Sequence, residues 1–433
     1  MKTKFLNATL ITIDEPFVIN NANLLVKDNI ICKISSDNIL EDADRVIDCE
    51  GDILMPGFIN THAHNAMTMF RGLKDDVDLM DWLYNYIFKI EKHIAFDDVY
   101  YSALLGFLEN ISSGITTVYE LYLIPKATFK AGKESGIRLF NCIGTNPIDD
   151  DKFLDEFMDE YTELQPQTND LVKLSTYIHS IYTQSMEKIE MVAKLAKKYN
   201  LLSTIHLSES LEEVGECAKL NNDMSPVQYV ERLGLFDNPC IISHGVHVDK
   251  DDMKIFKRYD VSVASCPACN LKLGNGIAPI TSYLKEGVNV CLGTDGPGSN
   301  NSIDFFREMY LLSYLQKGIM HDPKVIPAKE VLKIATINGA KALKLNDVGK
   351  LKEGYKADII RINTKSINMQ PMHDVVSNLI YSANKKDVIM TMVDGKILYE
   401  NGEFTNLNIK IDEIIATMNK NIKKLLNDLK IEI

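Results

Sequence analysis

Short apolar runs recur through the middle of the chain, and between them lie longer stretches whose apolar positions repeat every three or four residues. Runs of the first kind suit strands buried on both faces, and stretches of the second kind suit helices with one buried face. The pattern predicts strands at Gly57–His62, Thr116–Glu120, Leu139–Ile143, Leu174–Ile178, Ser203–His206, Ile241–His244, Ser262–Ser265 and Asn289–Gly293. Helical periodicity falls between them, as at Asp97–Ser112, Glu187–Tyr199, Ser225–Leu233 and Asp249–Arg258. Eight strand–helix units over about 260 residues predict an α/β fold, a (β/α)8 TIM barrel. An open doubly wound sheet is the alternative, but no Gly-rich phosphate loop follows the first strand.

The two ends of the chain have a different texture. Residues 1–55 alternate apolar and polar positions between turn signals, as in Ala8-Thr9-Leu10-Ile11-Thr12-Ile13 and Asn23-Leu24-Leu25-Val26-Lys27. The same style returns at Ala357-Asp358-Ile359-Ile360-Arg361-Ile362 and again from Val388 onward, where Asp394-Gly395 between two strand-like runs is a strong hairpin signal. Neither end alone can bury a sheet face, so the two are expected to combine. The expected organisation is a small composite β-sandwich domain from 1–55 and 352–405, a barrel over 56–351, and a C-terminal helix within 406–433, where Ile411 to Leu429 has helical period.

Composition narrows the class. Of the 433 residues, 45% are hydrophobic and 25% charged, as in ordinary soluble globular proteins. The net charge of −13 argues against nucleic acid and anionic membranes as partners. No apolar run reaches the roughly 20 residues of a spanning helix. Asp14 and Glu15 follow the basic start too closely for a signal peptide. Eight scattered cysteines do not make a disulfide framework. These features lead us to expect a cytoplasmic protein with reduced thiols; a homo-oligomeric state is a separate expectation.

Barrel chemistry sits where strands end and the following loops begin. The run Met55-Pro56-Gly57-Phe58-Ile59-Asn60-Thr61-His62-Ala63-His64 closes the first strand with two histidines one residue apart. On an extended strand such residues share a face, so their imidazoles converge. His179, His206 and His244 close the fourth, fifth and sixth strands, and Asp295 follows the eighth in Gly293-Thr294-Asp295-Gly296. Five of the nine histidines thus fall at predicted C-terminal strand ends. A lone histidine there is commonly a hydrogen-bonded structural residue, and the structural role stands for His93, His247, His321 and His373. For His62, His64, His206 and Asp295 together the context reverses that balance. Three imidazoles and one carboxylate leave a position for water, which marks a catalytic rather than a structural zinc.

Glu209, three residues beyond His206, is either a solvated loop carboxylate or the proton shuttle such a water requires. His244, with no metal position left for it, is a candidate base or orienter of that water. Cys266-Pro267-Ala268-Cys269 looks like a zinc or redox pair, but a single CxxC is a weak signal. It also lacks the H-x-E followed by P-C-x-x-C of the cytidine-type zinc deaminases. Packing of the loop after the seventh strand is the simpler role for these cysteines.

Over nearly its whole length the chain resembles the amidohydrolase superfamily and, within it, the 5-methylthioadenosine/S-adenosylhomocysteine deaminases. The resemblance rests on Pro56 to His64, Met67-Thr68, Arg71-Gly72, Leu79-Met80-Asp81-Trp82-Leu83 up to Glu91, and His179-Ser180. It continues through His206-Leu207-Ser208-Glu209, Ser243-His244-Gly245-Val246-His247, Asn270 to Pro279, Gly293 to Gly296 and Ser299-Asn300-Asn301.

The resemblance implies that His62, His64, His206 and Asp295 bind one divalent metal, with zinc suited to nitrogen-rich ligands. It implies that Glu209, His244 and Asp295 serve the proton transfers at the substrate, and that Glu91 and His179 contact a nucleoside, Glu91 through the ribose hydroxyls. Binuclear relatives carry a bridging modified lysine at the end of the fourth strand, where this chain has Tyr177-Ile178-His179. The implied reaction is hydrolytic deamination of an adenine nucleoside (5'-methylthioadenosine, S-adenosylhomocysteine, 5'-deoxyadenosine or adenosine) to the inosine analogue and ammonia.

One departure bears on specificity. Members acting on S-adenosylhomocysteine tend to carry arginines after the third strand, whereas here no arginine occurs between Arg138 and Arg232, and Asp149-Asp150-Asp151 stand in that loop. An anionic tail without a bidentate arginine is poorly held, so neutral 5'-groups are expected to be preferred. Guanine or pterin deamination, triazine dechlorination and a non-catalytic ligand-binding role are the alternatives.

Overall fold

In the computed structural model, which describes residues 1–144, 152–405 and 407–431, eight parallel strands close into a barrel. They are β1 (Phe58–Ala63), β2 (Ile115–Glu120), β3 (Arg138–Gly144), β4 (Val172–Ile178), β5 (Ser203–Leu207), β6 (Cys240–His244), β7 (Ser262–Ser265) and β8 (Asn289–Leu292), with β8 pairing back onto β1. Each predicted strand is present, with ends moved by at most two residues. The predicted helices at Ser225 and Asp249 begin one residue later, because those two side chains cap the first turn from outside the helix.

Burial on both faces explains the continuous apolar runs. Phe58, Val118, Leu139, Ile178, Ile242, Val263 and Val290 pack into the layer shared with the helices. Their immediate neighbours Ile59, Tyr119, Phe140, Tyr177, Ile241, Ala264 and Cys291 form a separate cluster inside the barrel. This is the period-two alternation of strands applied to a closed cylinder. The first strand departs from it. Its register with β2 shifts between Asn60 and Ala63, and strict alternation would have set His62 on the face opposite Ile59. The irregularity turns His62 inward, where its Nδ1 lies 2.8 Å from Ser243 Oγ on β6.

Strands from both chain ends join one nine-stranded mixed sheet. Its seam is Ile53–Pro56, parallel to Lys2–Ile11 on one side and antiparallel to Ile359–Ile362 on the other. Asp394 and Gly395 make the predicted hairpin turn between Val388–Val393 and Lys396–Glu400, both with positive φ. Gly57 carries the chain from this sheet into β1, and a Cβ there would stand 2.1 Å from the Thr116 side chain. Arg138 on β3 ties the two sheets together. Buried to 2% exposure, it donates to Asp358 through Nε at 2.7 Å and Nη2 at 3.0 Å, and through Nη1 to the Asp170 carbonyl at 3.0 Å. The helix Ile411–Asp428 packs against Phe96–Ser112. Among the described residues no helix is long and apolar enough to cross a membrane.

Candidate active site

The strand ends of β1, β5 and β8 bring His62, His64, His206 and Asp295 together, with one ligand atom from each within 4.8 Å of all the others. Asp295 Oδ1 lies 3.3 Å from His62 Nε2 and 3.1 Å from His64 Nε2. The outer nitrogens fix the ring orientations. His64 Nδ1 donates to the Leu121 carbonyl at 2.5 Å, and His206 Nδ1 donates to the His179 carbonyl at 2.6 Å. Carbonyls only accept, so both protons sit on Nδ1 and both Nε2 atoms offer lone pairs. These two lone pairs face each other across 3.1 Å, a repulsive arrangement unless a cation lies between them. His62 Nε2, fully buried, has no hydrogen-bond partner.

The electrostatics point the same way. Burial holds the His62 pKa down to about 4 and, together with the neighbouring imidazoles, the His206 pKa well below its ordinary value. Burial also acts against protonated His64, but the adjoining Asp295 carboxylate outweighs it and raises that pKa. Two imidazoles kept neutral by burial, and a third held beside one anionic oxygen, draw positive charge to this point. Three nitrogens and one oxygen, each ring anchored through its outer nitrogen, are the donor set and support of a divalent metal site.

Two further groups adjoin the cluster. Glu209 is 3% exposed; its Oε1 accepts from Asn275 Nδ2 at 2.8 Å and its Oε2 lies 3.6 Å from His244 Nε2. Burial raises the Glu209 pKa. His244 Nδ1 donates to Asn270 Oδ1 at 2.9 Å, which leaves Nε2 able to take a proton. Ser208, His244 and Asp295 all have left-handed backbone, with φ of 54°, 71° and 58°, conformations that side-chain-bearing residues hold where the surroundings impose them.

A cavity opens on this cluster. Leu79, Trp82, Leu83, Ile87, Phe88 and Glu91 line it from one short segment, in which the helices Leu79–Asp81 and Phe88–Glu91 flank a π-helical stretch, Trp82–Ile87. Glu91 is 8% exposed, and burial pushes its carboxyl up to about 7 against the opposing pull of the Tyr122 hydroxyl. His179 lines the same cavity, with Nδ1 2.9 Å from Thr183 Oγ1. All eight residues singled out from the sequence thus meet around one cavity and its floor. Among the described residues the cavity lining holds no lysine or arginine; the aspartates predicted to face a substrate tail, Asp149-Asp150-Asp151, lie outside the described residues.

Several supporting groups were not singled out from the sequence, although Glu120 closes a predicted strand. Glu120, at the end of β2, accepts from the Asn65 backbone N–H at 2.8 Å and pins the turn just after His64. Glu213 accepts from the backbone N–H groups of Ser208 and Glu209 at 3.0 and 2.7 Å, fixing the turn that carries Glu209. His247, read as structural, has Nε2 2.7 Å from the carbonyl of Asn275, the residue that holds Glu209.

Known proteins share this architecture. The amidohydrolase family model matches residues 53–398. A 5-methylthioadenosine/S-adenosylhomocysteine deaminase of Caldicellulosiruptor saccharolyticus is 38% identical over 97% of this chain and 98% of its own. One from Thermococcus kodakarensis is 41% identical over 87% of this chain and 89% of its own. The crystal structure of an adenosine deaminase from Xanthomonas campestris with bound zinc superposes with a TM-score of 0.91 at 27% identity, covering 99% of this chain and 98% of that one. With the family model spanning the whole barrel and the sheet strands adjoining it on either side in the chain, the chain belongs to the amidohydrolase family.

Proposed function

We propose that this metal-dependent hydrolase removes the exocyclic amine of an adenine nucleoside, adding water at C6 and releasing ammonia and the inosine analogue. One observation carries the proposal: a single cavity joins the cation-drawing cluster, two proton-carrying groups, a buried carboxylate and an otherwise largely apolar wall. A flat heteroaromatic ring suits such a wall, its ring nitrogen needs a proton donor, and ribose needs an acceptor for its hydroxyls. The names of the relatives at 38% and 41% identity support the same substrate class.

His62, His64, His206 and Asp295 are the proposed metal ligands, and zinc is the proposed ion. Bound there, it would supply Lewis acidity and lower the pKa of a water to about 7. The chain's own groups then manage protons. Glu209, kept readily protonated by burial, delivers a proton to the ring nitrogen beside C6. His244 Nε2 and Asp295 receive the proton released by the attacking water and return one to the departing amine, which leaves as ammonia; Asn270 holds His244, and Asn275 holds Glu209, in register. Glu91 accepts from the ribose hydroxyls, and His179 contacts the nucleoside from the end of β4.

The apolar wall from Leu79 to Phe88 favours a neutral 5'-group such as methylthio or hydrogen over a zwitterionic amino acid. A cytoplasmic location suits the eight free cysteines. A homo-oligomer is the proposed assembly, and sedimentation equilibrium tests it. The activity itself is tested by incubating metal-loaded protein with adenosine, 5'-deoxyadenosine, 5'-methylthioadenosine, S-adenosylhomocysteine and guanine. Ammonia release and the ultraviolet change from adenine to hypoxanthine are expected with the neutral adenine nucleosides. Conversion of guanine alone, or of none of them, would overturn the proposal.

A further inference from the structure

The Cys266–Cys269 pair is not a disulfide. All eight cysteines are free, and these two lie buried at the start of the helix Pro267–Lys272, directly after β7. They differ in what they touch. Cys266 Sγ lies 3.8 Å from the Ala264 carbonyl. Cys269 reaches the floor of the cavity, where its Sγ stands 2.6 Å from Asp295 Oδ2. Ser299 Oγ donates to the same oxygen at 2.8 Å.

Asp295 is therefore divided between two sets of partners. Oδ2 takes the thiol and the hydroxyl, while Oδ1 alone faces His62 and His64 at 3.3 and 3.1 Å. Two donors on one oxygen fix the rotation of the carboxylate about its terminal bond. They also leave that oxygen little capacity to act as a second ligand.

We propose that Cys269 is a positioning residue for Asp295, sharing Oδ2 with Ser299 so that only Oδ1 is presented to the metal. The inference rests on the metal-site reading above. Its functional content is that the donor matters, and the bulk of the sulfur does not. Serine at this position keeps a donor, whereas alanine removes it.

The test is zinc affinity, measured by competition with a chromophoric chelator on metal-stripped full-length protein, with no turnover involved. Wild type is expected to bind one equivalent. Cys269→Ala is expected to bind about 10-fold more weakly, the usual cost of removing an outer-shell partner, and Cys269→Ser to stay near wild type. Ser299→Ala should weaken binding as Cys269→Ala does, and it stands in for that variant should Cys269→Ala fail to fold. Equal affinity of wild type and the alanine variants would overturn the inference while leaving the metal site intact. Cys269→Ser as weak as Cys269→Ala would overturn it in favour of packing. No zinc binding by wild type would remove the inference and the metal reading together.

Discussion

Glu91 gives the account a pH dependence that can be worked out in advance. Buried in the cavity wall, its carboxyl titrates near about 7 rather than in the ordinary range. If it accepts hydrogen bonds from ribose hydroxyls, only the ionised form binds well, because a protonated carboxyl loses acceptor capacity. With a pKa of about 7, the ionised fraction is about 0.9 at pH 8 and about 0.1 at pH 6. The value of kcat/KM should therefore fall roughly tenfold from pH 8 to pH 6 through this group alone. The sign follows from burial: desolvation raises the pKa, so activity is lost as pH falls through 7, well above the usual carboxylate range. Initial rates of adenine-to-hypoxanthine conversion at subsaturating nucleoside, from pH 5.5 to 8.5, would measure it. Glu91→Gln should raise KM at pH 8 and lose that part of the acid limb, while 2',3'-dideoxy substrates should be nearly indifferent to the substitution. An acid limb identical in wild type and Glu91→Gln would refute the ribose role.

Other outcomes follow from the same geometry. Glu209→Gln should keep its metal by elemental analysis yet lose about 10²–10⁴-fold in kcat; turnover like wild type would remove Glu209 from the chemistry. S-adenosylhomocysteine should show a clearly lower kcat/KM than 5'-methylthioadenosine, and comparable values would contradict the neutral-tail preference. Arg138→Met leaves Asp358 buried without its bidentate partner, at an expected loss of about 3–5 kcal/mol in urea unfolding. Arg138→Met/Asp358→Asn should recover part of that loss, and a single-variant cost below about 1 kcal/mol would contradict the burial argument.

The barrel was legible because its strands are buried on both faces. Runs such as Ile241–His244 and Ser203–His206 have no solvent side, so they stand out from the amphipathic helices between them. The proposed metal ligands were legible for a related reason, since chemistry-bearing residues closing apolar strands are conspicuous. The irregularity in β1 that turns His62 inward was not, because it depends on register with β2 rather than on local pattern. Nor was the seam of the mixed sheet, which pairs Ile53–Pro56 with Ile359–Ile362 across most of the chain. The supporting shell stayed hidden for a third reason. Ser243 beneath His62, the Leu121 and His179 carbonyls, and Cys269 beside Asp295 act through contacts fixed only when distant strand ends meet. The Cys266–Cys269 motif shows the limit most clearly: spacing argued for packing, and burial agrees, but the proximity of Cys269 to Asp295 has no local signature.

The most direct measurement is an anomalous difference map recorded at the zinc edge from a crystal of the metal-loaded protein. The account predicts one peak per chain, at about 2.0–2.2 Å from His62 Nε2, His64 Nε2, His206 Nε2 and Asp295 Oδ1. A map with no peak among these four atoms, or with its peak on another set of residues, would contradict it.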